Sequence, residues 1–216
     1  VPINKDKLVA LKELADLETG TLHTDRFDYE NSLYPKAQRY KVLSTRIVTC
    51  RKCPGLNIKR FTEGCPGWGD LNAKVFFIGQ SLHEPGMLSG LPFIGGSGYS
   101  IDAALRLSGL LRKDCFFSNV VHCHPQNNRA STEQEIKNCL NYLIEELAIV
   151  RPKLIVALGN DAKAALKTME QRGLKIPKAA KIFKCKHPAS FMYGCPENRI
   201  DWIIKLSQQI DRVIDI

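Results

Sequence analysis

A chain of 216 residues, 44% hydrophobic and 25% charged, has the balance of one globular domain, or of one domain with an added arm. Its longest apolar runs, such as Leu154–Leu158, are too short to cross a bilayer. The opening Val1-Pro2-Ile3-Asn4-Lys5-Asp6 lacks the basic-then-apolar pattern of a signal peptide, so the expectation is a cytoplasmic protein with no membrane partner. The net charge of +9, from 31 Lys and Arg against 22 Asp and Glu, favours a polyanionic partner, nucleic acid first, although a solubility surplus gives the same charge.

In chain order, Lys5–Leu17 carries Leu8, Leu11 and Leu14 at roughly helical spacing, with Gly20 as a stop. Asp28–Lys36 reads as a turn and Tyr40–Thr49 as a second helix. Residues 50–73, with three Cys and several Gly and Pro, are expected to be irregular. Val75–Ile78, closed by Gly79, has the short apolar run of a buried parallel strand. Ser97–Leu110 is helical in period, and Cys115–Val121 is a second strand. A helix follows from Ser131 as N-cap to about Val150, with Glu133 and Glu135 in its first turn. Lys153–Leu158 is the third strand, Asp161–Glu170 a helix, Lys181–Cys185 the fourth strand, and Asn198–Val213 a final amphipathic helix. Alternating strands and helices make an α/β fold, a four-stranded parallel sheet sandwiched between helices, with function at the carboxyl ends of the strands. Gly79, Gln80, Asn119, Gly159 and His187 all fall at or just after such ends.

Eight cysteines in a cytosolic chain call for metal ligation or burial rather than disulfides. Cys50-Arg51-Lys52-Cys53 has a spacer that lets both thiolates reach one metal or cluster, but redox pairs and zinc sites share it.

Three segments are specific in combination. The first runs Pro66-Gly67-Trp68-Gly69, the strand Val75–Ile78, Gly79-Gln80-Ser81, then Gly90-Leu91-Pro92-Phe93-Ile94-Gly95. The second is Ser118-Asn119-Val120-Val121-His122-Cys123-His124-Pro125, then Asn128-Arg129 and Cys139. The third is His187-Pro188-Ala189-Ser190. In this order they resemble the uracil-DNA glycosylase superfamily, most of all its iron–sulfur branch, family 4. The likeness covers residues 45–213, so a glycosylase-like three-layer domain is expected over 45–216 with an N-terminal helical extension over 1–44.

The resemblance implies a [4Fe–4S] cluster on Cys50, Cys53, Cys123 and Cys139; four thiolates suit zinc as well, and the family context favours iron. It implies His187 as the catalytic donor to the departing base, Asn119 as the reader of the base edge with Gly79 also on the base-binding side, and Phe93 as the aromatic that stacks on a flipped base. The loop after the first strand departs from the family's Gly-Glu-Ala-Pro-Gly. Gln80 replaces the acidic residue, and Ser81 stands where family 1 carries a water-orienting Asp. A hydroxyl holds water but is a poor base, which leaves Glu84 or His83 to compensate if the loop folds inward. DNA contacts are expected at Trp68, Gly98, Arg129, Lys186 and the loop of Phe191 and Tyr193. The implied activity is a monofunctional DNA glycosylase acting on uracil as a monomer. A glycosylase for a modified pyrimidine and a catalytically weak iron–sulfur DNA-binding protein are the alternatives.

Overall fold

The computed structural model describes residues 34–174, 176–177, 179–191 and 196–214. The expected helix over Lys5–Leu17 and the loop residues Met192, Tyr193 and Gly194 lie outside the described residues, as does Cys195.

Strand β2 (Val75–Ser81) is the centre from which the sheet is built. It pairs in parallel with β3 (Phe116–Val121) on one side and β4 (Leu154–Leu158) on the other, and β4 pairs in parallel with β5 (Lys181–Cys185). A two-residue strand, β1 (Trp68–Gly69), joins β3 antiparallel, giving the order β1-β3-β2-β4-β5. The expected four parallel strands are thus present, and β1 adds an edge inside the segment expected to be irregular. Two residues carry too little pattern to be seen in a sequence.

Both faces of the sheet are covered, and strand parity decides which residue goes where. Phe76, Ile78, Phe116, Ile155 and Ala157 face one layer, formed by α1 (Pro35–Val48), α4 (Glu133–Val150) and α5 (Gly159–Gln171). Val75, Phe77, Phe117, Leu154 and Val156 face the other, formed by α3 (Gly96–Leu107) and α6 (Pro196–Ile214). Phe77 and Phe117 stack with centroids 4.8 Å apart, and Phe76 and Phe116 at 5.0 Å, so each face has an aromatic pair across β2 and β3.

In α1, Pro35 occupies the first turn, where its missing N–H breaks no helical bond, so the helix starts before Tyr40 and the expected turn through Lys36 gives way to helix. Ala37, Tyr40, Leu43 and Ile47 form its buried stripe, and it packs on α4. The cap of α4 is Thr132 rather than Ser131. Thr132 Oγ1 accepts from Glu135 N at 3.2 Å, and Glu135 Oε2 accepts from Thr132 N at 2.7 Å, a reciprocal box that Ser131 is one residue too early to close. A short helix, α2 (Glu84–Ser89), follows β2 directly and ends on Gly90 at φ +72°. No helix of the described residues is long and apolar enough to cross a membrane.

Candidate active site and thiol cavity

At the carboxyl ends of β2 and β3, Gly79 and Asn119 are register partners and share the sheet face of Phe77 and Phe117. A Cβ on Gly79 would stand 2.5 Å from Asn119 Oδ1 and 2.5 Å from Phe93 Cζ. The missing side chain is therefore what lets the carboxamide and the ring meet over the strand. Ser81 has the parity of Gly79, and Gln80 points to the opposite face. His187 follows β5, its ring stacked near Phe93 with centroids 6.1 Å apart at 25°. A Cβ on Gly159 would meet His187 Cβ at 3.3 Å, so the end of β4 backs this histidine.

The hydrogen bonds of His187 fix its chemistry. Ala189 N–H donates to His187 Nδ1 at 3.2 Å, within the turn Pro188–Phe191, so Nδ1 is an acceptor and the ring proton of the neutral form sits on Nε2. Burial, then the nearby His83, lowers the pKa of His187 below its ordinary value. The result is a neutral imidazole with an N–H donor beside an aromatic ring that in turn meets the Asn119 carboxamide over Gly79.

Phe93 has φ +58°, costly for an aromatic residue, and it is held there by groups that the sequence did not single out. Arg112 donates to the Pro92 carbonyl at 2.9 Å and the Phe93 carbonyl at 2.7 Å, and pairs with the buried Asp102 at 3.1 Å. Its guanidinium also lies 4.7 Å over the Phe117 ring. Gly98 is buried in α3 beneath this loop, where a Cβ would fall 1.9 Å from the Phe93 carbonyl oxygen. Its close approach is to Phe93, not to an outside phosphate. Arg112 lies four residues before β3 in an unremarkable Leu-Arg-Lys-Asp stretch, so no local pattern marked it.

The remaining candidates lie in other loops and helices and in β1. Leu82 is buried and its carbonyl accepts from His124 Nδ1 at 3.0 Å, which turns His83 inward. The His83 ring is half-buried, with its pKa lowered by burial, and it donates to the Ile94 carbonyl. Glu84 is exposed in the first turn of α2, and the loop brings His83 rather than Glu84 to the pocket side. Trp68 is buried against Phe117 at 6.3 Å. Arg129 is engaged with Glu135 by bonds of 2.9 and 2.6 Å, while its side chain stays 44% exposed and so still open to a second anion. Lys186 is exposed, its Nζ 5.9 Å from the Phe191 ring centroid. Gly67 lies at the sheet edge, where a Cβ would stand 2.5 Å from Phe116 Cε1. Its N–H donates to the buried Glu146 at 2.8 Å, and Tyr40 Oη donates to its carbonyl.

On the other face, Cys50, Cys53, Cys123 and Cys139 line one cavity. The end of α1 delivers Cys50, the following loop Cys53, the end of β3 Cys123 and the second turn of α4 Cys139. Asn57 holds the loop, donating to the Cys50 carbonyl at 2.8 Å and accepting from Gly64 N–H at 2.8 Å, next to the Gly64–Cys123 bridge. Burial, then the neighbouring thiolates Cys139, Cys50 and Cys53, pushes the Cys123 thiol up. Burial raises Cys53 as well, opposed by the Asn138 amide, whose Nδ2 donates to Cys53 Sγ at 3.4 Å. Four thiolates sharing a mostly apolar cavity repel one another, and a cationic centre between them removes that penalty. The donor set therefore fits a soft metal centre. Among the described residues no three His, Cys, Asp or Glu converge tightly enough for a single metal ion; the four thiols surround a space instead. Cys65 and Cys185 are pushed up to about 11 and about 12 by burial, and Cys115 is fully buried, as inert core thiols are.

A sequence-family profile described as the uracil DNA glycosylase superfamily matches residues 66–209, which takes in Gly79, Phe93, Asn119 and His187. The chain is similar to a type-4 uracil-DNA glycosylase of Thermotoga maritima, 35% identical over 130 residues, covering 60% of this chain and 67% of that protein. It is similar to one of Archaeoglobus fulgidus, 32% identical over 165 residues, or 68% of this chain and 80% of that protein. A type-5 uracil-DNA glycosylase of Pyrobaculum aerophilum is 33% identical over 183 residues, or 71% and 76% of the two chains. The chain belongs to the uracil-DNA glycosylase superfamily, and its likeness runs to the type-4 branch.

Proposed function

We propose that the protein is a monofunctional DNA glycosylase that hydrolyses the N-glycosidic bond of uracil in DNA and leaves an abasic site. The observation that carries the reading is His187, with Nδ1 occupied by Ala189 N–H and Nε2–H left to donate, beside Phe93, which meets Asn119 over Gly79. A flipped pyrimidine stacks on Phe93 and pairs with Asn119, whose carboxamide offers a donor and an acceptor to O4 and N3–H. As the bond breaks, the base leaves with negative charge, and Nε2–H of His187 stabilises its oxygen without giving up the proton. The sugar, left oxocarbenium-like, is captured by a water that the Ser81 hydroxyl holds; a cation so reactive needs a positioned water more than a strong base. His83, turned inward where Glu84 is not, fixes the far wall through Ile94.

The cysteines Cys50, Cys53, Cys123 and Cys139 hold a [4Fe–4S] cluster in this reading, because four thiols line one cavity and the likeness to the type-4 branch favours iron over zinc. When bound, the cluster crosslinks the 50–64 segment to β3 and α4; its part is structural. The glycosylase domain spans 45–216 in this reading, with 1–44 as an extension of which residues 35–44 belong to α1. DNA runs along the exposed Lys186 and Arg129, with Phe191 near the gap left by the flipped base.

The test is a panel of single- and double-stranded oligonucleotides bearing uracil, hypoxanthine or modified cytosines, treated with the protein and then with alkali. Scission at uracil is expected. Scission only at a modified pyrimidine would transfer the function to that base, and binding without any scission would refute the enzymatic reading.

A further inference from the structure

The residue that follows β3, His122, is only 1% exposed and takes no part in the base pocket, yet it is among the most connected side chains in the core. Its backbone N–H donates to Cys139 Sγ at 3.3 Å, and its ring Nδ1 also lies 3.3 Å from that sulfur. On the other side, ring Nε2 is 3.1 Å from Glu146 Oε2. Glu146 is completely buried, and it also accepts from the Ser118 hydroxyl and from Gly67 N–H at 2.8 Å. Helical spacing builds the arrangement. Cys139, Tyr142 and Glu146 fall on the stripe of α4 that faces β3, and the Tyr142 ring meets the imidazole edge-on at 6.0 Å.

The donor inventory gives the direction of the bond to sulfur. A metal-bound thiolate has no proton to give, so with Cys139 as a ligand Nδ1 donates to it. Nε2 faces Glu146 Oε2 at 3.1 Å and the Ser118 hydroxyl at 3.3 Å. The imidazole thus lies between Cys139 and Glu146, and each neighbour supports the other's hydrogen bond. We infer that His122 is a positioning residue for the iron–sulfur site: it donates a ring N–H to the Cys139 sulfur, lowers that ligand's electron donation to iron, and through Glu146 ties the cluster to the Pro66–Gly69 loop at the sheet edge. The inference rests on the reading of the four thiols as a cluster site. Hydrogen bonds to sulfur raise a cluster's reduction potential, and partners behind a ligand commonly contribute 10–100-fold to metal retention.

Two substitutions in the anaerobically purified full chain separate the contacts. His122→Asn keeps an amide N–H near the place of Nδ1 and loses the reach to Glu146. His122→Gln reaches Glu146 and loses the donor to sulfur. Both remove the imidazole, so the difference between them reports the N–H···S bond itself. Voltammetry is expected to place the His122→Gln cluster at a more negative potential than His122→Asn, with iron lost to a chelator about tenfold faster or more. Equal potentials and equal release rates in the two variants would overturn the inference. Should either variant fail to fold, the wild-type protein labelled with histidine carrying 15N in the imidazole ring alone decides: pulsed EPR of its reduced cluster is expected to show coupling to a ring nitrogen, and no coupling overturns it. A wild-type protein that carries no iron overturns the cluster reading itself, an outcome distinct from iron present with equal variants.

Discussion

Adding one methyl group at Gly79 perturbs the proposed base pocket at the point where Asn119 and Phe93 meet. The Cβ would stand 2.5 Å from both Asn119 Oδ1 and Phe93 Cζ, against 3.4–4 Å for ordinary contact. Each group must therefore retreat by about 1 Å, and neither is free to do so. Asn119 is fixed in β3 opposite Gly79, and the Phe93 backbone is held by Arg112 through two carbonyls. A misplacement of about 1 Å in a substrate-positioning group lowers rates by roughly 100-fold, so Gly79→Ala is predicted to reduce single-turnover uracil excision by that order. Overpacking of this kind costs about 1–3 kcal/mol, or about 2–12 °C in Tm for a domain of this size. Rate measured by alkaline cleavage and Tm measured by circular dichroism separate the two effects. Wild-type excision by a folded Gly79→Ala protein would refute the idea that the space over Gly79 is the base pocket.

Arg112→Met leaves Asp102 buried without its partner and releases the Phe93 loop. It should cost about 3–5 kcal/mol in denaturant titration and weaken excision further than the stability loss explains. An Arg112→Met protein as stable as wild type would mean that the pair is replaceable. His187→Ala removes the proposed donor to the departing base and should lower kcat by about 10²–10³-fold with the fold intact by circular dichroism; unchanged kcat would exclude His187 from the chemistry. Because the folded pKa of His187 lies below the ordinary value near ~6.5, the rate should stay level as pH falls through that value and drop only at more acidic pH. The same depression makes the unfolded chain bind more protons in that window, so this residue's contribution to stability is lost as pH falls below ~6.5. An inflection in the pH–rate profile at or above that value, assigned to His187 by its loss in His187→Gln, would contradict the burial argument.

The parts of the fold that follow from short-range pattern were legible. Val75–Ile78 and Leu154–Leu158 announced strands because apolar residues run without interruption through a sheet buried on both faces. Gly79, Asn119 and His187 stood out because the chain turns at strand ends. What the sequence hid depends on distant partners. The Asp102–Arg112 clamp on Phe93 looks like ordinary charge until α3 and β3 are brought together. The chain of Cys139, His122, Glu146 and Gly67 joins residues up to 79 positions apart, which no local period reports. The roles of His83 and Glu84 were open because they depend on which way a short loop turns, and the buried Leu82 decides it.

The central claim is tested most directly by stoichiometry. A single-turnover reaction on an oligonucleotide with one uracil is predicted to release free uracil and alkali-labile ends in equal amounts from the wild-type protein, and about 10²–10³-fold more slowly from His187→Ala. Intact strands with no uracil released, from iron-loaded and folded protein, would contradict the account.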